Sequence, residues 1–228
     1  MNLTRRTVAE FLGSAGLAAV VIGSGIAAQR LSPSDVGLQL FENAIATALG
    51  LPALILMFMT ISGSHFNPVV SIVDVVIGGR HWSDAAAYIP AQVAGCISGA
   101  MLANTMFSDP AISISTTDRI TAATFISEVV ATAGLIMVIF LLARTDRQAI
   151  IPWAVGAYIG AAYFFTSSTS FANPAITIGR IFSDTFAGIA PASAPWYIGA
   201  QLVGAAVGLV LVAWFTPRPA EIQQVATG

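Results

Sequence analysis

Charge is what this sequence has least of: 9% of its 228 residues are charged, lysine is absent, and all nine basic residues are Arg. A soluble domain averages about 25% charged residues, so an ordinary water-facing surface is excluded. The net charge of -2 has no clustered basic run behind it, so neither nucleic acid nor an anionic surface is suggested as a partner. Cysteine occurs once, as Cys96 within an apolar stretch, so the chain offers no disulfide and the residue reads as small packing. No metal cluster, nucleophile and base pair, or cofactor loop is visible, and neither catalysis nor a cofactor is expected.

What remains is apolar, with 56% hydrophobic residues. Six stretches, roughly 8–28, 40–61, 85–107, 123–143, 149–168 and 196–216, are long enough to cross a hydrocarbon core of about 30 Å. Little chain is left for a soluble domain, so one all-α transmembrane domain over residues 1–228 is expected. The first stretch is too long for the apolar core of a cleavable signal and is read as the first span. Arg5, Arg6, Arg80, Arg144, Arg147 and Arg218 then fall on one side, and Arg30 and Arg119 on the other. The positive-inside rule places both termini of this multi-pass cell-membrane protein in the cytoplasm. Arg180 is left without a side.

The two halves repeat each other, over approximately 1–110 and 120–218. EFLGSAGL from Glu10 recurs as EVVATAGL from Glu128, an offset of 118. Asn67-Pro68-Val69 recurs as Asn173-Pro174-Ala175 at an offset of 106, and YIPAQVAG from Tyr88 as YIGAQLVG from Tyr197 at an offset of 109. Each half carries three spans, and an odd number starts the second copy on the opposite side of the membrane. The repeat is therefore inverted, as in many transporters, so it does not by itself choose between a transporter and a channel.

Each Asn-Pro follows a run of small and polar residues, starting at Ser62 and at Ser167, and precedes a short apolar run. Asn is a strong N-cap, and Pro is favoured at the first helical position. Val69 to Ile77 and Ala175 to Phe182 reach roughly 12–15 Å at 1.5 Å per residue, about half the hydrocarbon thickness. Two such re-entrant halves from opposite faces make one broken seventh span. Non-helical backbone at that depth must line an aqueous path or be buried in protein. If each Asn oxygen caps its own helix, the amides of Asn67 and Asn173 point outward as donors, beside helix N-termini that repel cations.

These residues resemble the aquaporin and aquaglyceroporin family, the major intrinsic proteins, over nearly the whole chain. SGSHFNPVVS is similar to the first family signature, with Val69 where Ala is usual, and FANPAIT to the second. The resemblance implies a homotetramer with one pore per subunit. It also implies that the carbonyls of Gly63, Ser64 and His65 line the path and that buried Glu10 and Glu128 brace the loops. A proton relay of a coupled transporter is the alternative for either Glu. GxxxG patterns at Gly95/Gly99, Gly156/Gly160 and Gly204/Gly208 predict close helix contact, within or between subunits. Tyr88, Gln92, Tyr197 and Gln201 read as helix packing without chemistry.

The family's outer filter carries an Arg three residues past the second Asn; here that position is Ile176. By family spacing the other filter positions are Thr47, Ala161 and Ser170, with Phe171 restoring bulk if the loop is shifted by one. A filter without charge or a large aromatic predicts a broad neutral-solute pore. Arg180, four residues beyond Ile176, either replaces the missing cation at the mouth, with Asp184 as its partner, or snorkels at the surface. His65 is either a structural hydrogen-bonding residue or a proton-dependent gate. The SxxHFNP and STSFANPA[IV]T pattern is similar to bacterial members associated with arsenic resistance. The expected solutes are glycerol-like polyols, water and neutral metalloid hydroxides such as arsenous acid, and the rival is a proton- or ion-coupled transporter.

Overall fold

The computed structural model describes residues 1–217; Arg218, and with it the end of the second repeat, lies outside them. The chain runs α1 (Leu3–Leu31), α2 (Val36–Phe58), α3 (Pro68–Val76), α4 (Trp82–Met106), α5 (Ala122–Arg144), α6 (Ile151–Phe165), α7 (Pro174–Gly179) and α8 (Ala194–Phe215). One 3₁₀ turn, Gln148–Ile150, leads into α6, and another, Arg180–Phe182, follows α7. Among the described residues six helices are long and apolar enough to cross a membrane, one for each predicted stretch. The apolar side chains they leave exposed, such as Leu49, Leu56, Ile126, Val210 and Trp214, suit a lipid solvent.

Helix starts follow the local sequence. Asn2 caps α1 by accepting from the Arg5 N–H, and Asp35 caps α2 by accepting from the Leu38 N–H. Thr121 and Thr124 satisfy each other's backbone N–H at the start of α5.

The inverted repeat appears as two equivalent helix pairs, α1 against α4 and α5 against α8. Gly95 and Gly99 of α4 lie so close to the Phe11 and Ala15 carbonyls of α1 that a methyl group at either would overlap them. Gly204 and Gly208 of α8 stand in the same relation to the Val129 and Ala133 carbonyls of α5. Gly156 and Gly160 of α6 pack on Ala48 of α2. All three GxxxG patterns thus act within the subunit, where small residues let backbones approach.

Each half-helix is seated in the opposite repeat. Val69, Val70 and Val73 of α3 pack with Ile136 and Phe140 of α5 and with Ala205 and Val212 of α8. Gly179 of α7 rests on Cys96 of α4, whose thiol faces the Ser14 carbonyl at 3.6 Å. This exchange brings the two helix N-termini together in the interior.

Candidate conduction pathway

The loops before the half-helices are held in an unusual backbone conformation. Gly63, Ser64 and Phe66 have φ of 94°, 53° and 49°, and Thr169, Ser170 and Ala172 repeat them with 60°, 49° and 48°. Non-glycine residues in the left-handed region are strained and persist only when the surroundings fix them. Here two carboxylates do so. Glu10 accepts from the His65 and Phe66 N–H groups at 3.0 and 2.7 Å, from the Ser62 hydroxyl at 2.6 Å and from Gln92 Nε2 at 2.8 Å. Glu128 accepts from the Phe171 and Ala172 N–H groups, both at 2.9 Å, from the Ser168 hydroxyl at 2.6 Å and from Gln201 Nε2 at 2.7 Å. Both carboxylates are fully buried.

Gln92 and Gln201 therefore do more than pack. Each links its carboxylate to the half-helix, through Ser71 at 2.9 Å in one repeat and Thr177 at 2.9 Å in the other. Tyr88 donates to the Ser62 carbonyl, tying the same loop to α4.

At the centre, Asn67 and Asn173 cap their own helices through the side-chain oxygen, accepting from Val69 N–H at 3.1 Å and Ala175 N–H at 2.9 Å. Their amides cross over: Asn67 Nδ2 donates to the Ala172 carbonyl at 2.8 Å, and Asn173 Nδ2 to the Phe66 carbonyl at 2.7 Å. An amide has two N–H donors, so one of each pair is spent on this tether and one is left. Pro68 and Pro174 occupy the first helical turn, where no N–H is needed.

Both asparagines line a cavity of about 430 Å³. Its lining reaches from Asp74, Arg80 and Gln148 to Thr47, Tyr163 and Arg180. Gly63, Ser64 and His65 border it on the first side of the asparagines, and Ser170, Phe171 and Ile176 on the second. His65 Nδ1 lies 3.0 Å from Ser71 Oγ, and its Nε2 lies 3.3 Å from Asp74 Oδ2. Arg80 Nε approaches that same carboxylate oxygen at 3.6 Å.

Two expectations are corrected at the Thr47 end of the cavity, Ala161 at its wall and Asp184 as the partner of Arg180. Ala161 is exposed on the outer face of α6 and does not border the cavity. The residue that does is Tyr163, whose hydroxyl meets the Thr47 hydroxyl at 3.1 Å. The reason is helical phase: Ile151, Val155, Ile159 and Tyr163 follow one another at four-residue steps along the lining face, and Ala161 falls on the opposite side. A cue for Tyr163 thus lay in the periodicity of the span.

Arg180 is not a surface residue. It is 2% exposed, it borders the cavity, its Nε donates to the Ala187 carbonyl, and its guanidinium carbon lies 3.4 Å from the centre of the Phe171 ring. Asp184 does not pair with it; that carboxylate accepts from the Thr116 N–H at 2.9 Å. This end of the cavity therefore holds the Arg180 cation with the rings of Phe171 and Tyr163, where family spacing alone places Thr47, Ala161 and Ser170. Thr47, Ser170 and Ile176 border the cavity.

Two helix N-termini that meet inside a membrane-spanning inverted repeat, with paired amides beside a cavity, define a pore-type membrane protein. Residues 1–170 match the model of the major intrinsic protein family. The chain is 47% identical over 213 residues to aquaglyceroporin AqpS of Rhizobium meliloti (strain 1021), spanning 93% of this chain and 91% of that protein. It is 30% identical to a glycerol uptake facilitator protein of Pseudomonas aeruginosa, spanning 97% and 95%. The solved structure of the aquaglyceroporin from Plasmodium falciparum shares the fold, with a TM-score of 0.69 over 94% of this chain and 95% of that one at 23% identity. The chain belongs to the major intrinsic protein family.

Proposed function

We propose that the chain is a passive, bidirectional channel for glycerol and other small uncharged solutes, water among them, with arsenous acid as a further candidate. The observation that carries this reading is the crossed pair of Asn67 and Asn173 amides beside the cavity, with both helix N-termini converging there. Each terminus carries about half a positive charge, so a cation meets repulsion where its desolvation is already costly. A neutral polyol can accept from the remaining amide donors and slide its carbon face along Leu51, Ile55, Val155 and Ile159. Relatives named as an aquaglyceroporin and as glycerol uptake facilitators support the same reading.

In this reading the Asn-Pro segments form the central barrier, and the carbonyls of Gly63, Ser64 and His65 form the inner path. Thr47, Tyr163, Ser170, Phe171 and Ile176 shape the outer constriction. Glu10 and Glu128 act as braces, consistent with four donors on each carboxylate. The subunit works as a homotetramer in the cell membrane with both termini in the cytoplasm, as the distribution of Arg between its ends favours. It performs no covalent chemistry.

Osmotic swelling of proteoliposomes, run in parallel with water, glycerol and arsenous acid, tests the proposal. Fast, non-saturating glycerol entry that ignores the proton gradient is expected. Saturable or gradient-dependent entry would support the coupled transporter instead, and water entry without glycerol entry would mean a much narrower pore.

A further inference from the structure

Resting on the pore reading above, we propose that Arg180 is a residue that limits the size of solute this channel passes, offering its free guanidinium donors to the solute beside Phe171.

Position comes first. A Cβ at Gly179 would lie 2.8 Å from both the Cβ and the carbonyl oxygen of Cys96, so the half-helix ends flush against α4. The chain then tightens into the 3₁₀ turn Arg180–Phe182, which carries the next side chain to the cavity wall instead of to lipid. Ile176, one turn earlier on α7, offers the cavity only an apolar side chain.

Rigidity comes second. The guanidinium carbon lies 3.4 Å from the Phe171 ring centre, a contact over the ring face that confines the group. Phe171 is immobilised in turn, through its N–H on Glu128 and by edge contact with Tyr197 at 4.8 Å between ring centres. Three consecutive carbonyls hold the loop that tethers Arg180. Phe186 and Gly188 accept from Arg119 at 3.1 and 2.8 Å, and Ala187 between them accepts from Arg180 Nε. Arg119 is thus a positioning residue for the loop that tethers Arg180.

Chemistry comes third. A guanidinium buried at membrane depth normally finds a carboxylate or reaches the interface. Arg180 does neither: it is 2% exposed, and among the described residues no carboxylate pairs with it and only Nε makes a hydrogen bond. Its Nη donors are left beside the cavity, where a passing hydroxyl can use them. A purely structural arginine would have spent them on protein.

The test reconstitutes the full-length wild type and variants in liposomes and measures the permeability ratio of ribitol to glycerol, with the size-exclusion profile of the purified protein as the folding control. If the wild type does not conduct glycerol, the pore reading fails. If it does, Arg180→Ala is expected to raise the ratio about three- to tenfold, the effect of losing one donor pair at a constriction. Arg180→Lys, which keeps the charge without the planar stack, should raise it less. Ile176→Arg combined with Arg180→Ala, which returns a guanidinium one turn deeper, should bring the ratio back down. An unchanged ratio in Arg180→Ala overturns the proposal, even where total flux or thermal stability falls, because a structural role moves those and not selectivity. Should Arg180→Ala not reconstitute, an unchanged ratio in Arg180→Lys overturns it equally.

Discussion

The hydroxyls of Thr47 on α2 and Tyr163 on α6 meet at 3.1 Å beside the cavity. Thr47 also donates to the Asn43 carbonyl one turn back, at 2.9 Å, which fixes its rotamer and so the point where the tyrosine ring stops. The contact ties α6 of one repeat to α2 of the other. It also sets a polar spot on a cavity wall that Ile176 lines with an apolar side chain.

Tyr163→Ala is expected to widen this point and to admit polyols longer than glycerol, whereas Ala161→Leu, two residues earlier on the exposed face, leaves solute selection as it is. The comparison uses helical phase alone, since both changes lie on the same turn of α6. Stopped-flow light scattering with glycerol, ribitol and sorbitol separates them; equal profiles for the two variants would remove Tyr163 from the constriction.

Glu128→Ala strands two backbone N–H groups, the Ser168 hydroxyl and the Gln201 amide at once. A buried donor without an acceptor costs about 1–3 kcal/mol, so the loss of several should exceed what a membrane protein of ordinary stability tolerates. The left-handed residues of the loop lose their support in the same step. Size-exclusion chromatography in detergent should show aggregated protein for Glu128→Ala and an intermediate melting temperature for Glu128→Gln, which keeps one oxygen. The equivalent changes at Glu10 should behave alike, because its donors match one for one.

Asn67→Asp preserves the acceptor that caps α3 and removes the donor to the Ala172 carbonyl. It also places a negative charge at the meeting point of the two helix N-termini, where it offsets their positive ends. Glycerol flux should fall as the tether loosens, and sodium entry, read with a cation-sensitive dye trapped in vesicles, should rise above the wild-type background. Tight sodium exclusion in this variant would show that the barrier lies elsewhere.

The parts of the pathway that were legible in the sequence are those fixed by local rules or by repetition. Asn followed by Pro prescribes a capped helix start, and a span of about 20 apolar residues prescribes a crossing. Glu10 and Glu128 stood out because a carboxylate within a span needs a reason to be there. Tyr163 was missed because counting from Asn173 across a loop loses register, while the four-residue step inside α6 does not. The fate of Arg180 stayed open between the mouth of the path and the surface: it depends on how closely Gly179 approaches Cys96, distant in the chain, and on where the Ala187 carbonyl lies. Gln92 and Gln201 were visible as repeated positions, yet their bridge between carboxylate and half-helix needs the fold.

Glycine within the spans provides a last test, because the same residue type serves opposite purposes. At Gly99 an added side chain would overlap the Ala15 backbone, whereas at Gly199 nothing lies within 4 Å of the position a Cβ would take. Gly99→Val should force α1 and α4 apart at a cost of about 1–3 kcal/mol. Gly199→Ala should hold or slightly raise stability, because alanine is favoured over glycine in a helix interior by roughly 0.5–1 kcal/mol. Since the Gly99 contact lies inside the subunit, Gly99→Val should lower the melting temperature without a preceding release of intact subunits, as native mass spectrometry on a detergent titration would show. Release of folded, glycerol-conducting subunits by Gly99→Val would instead place that glycine at a contact between subunits.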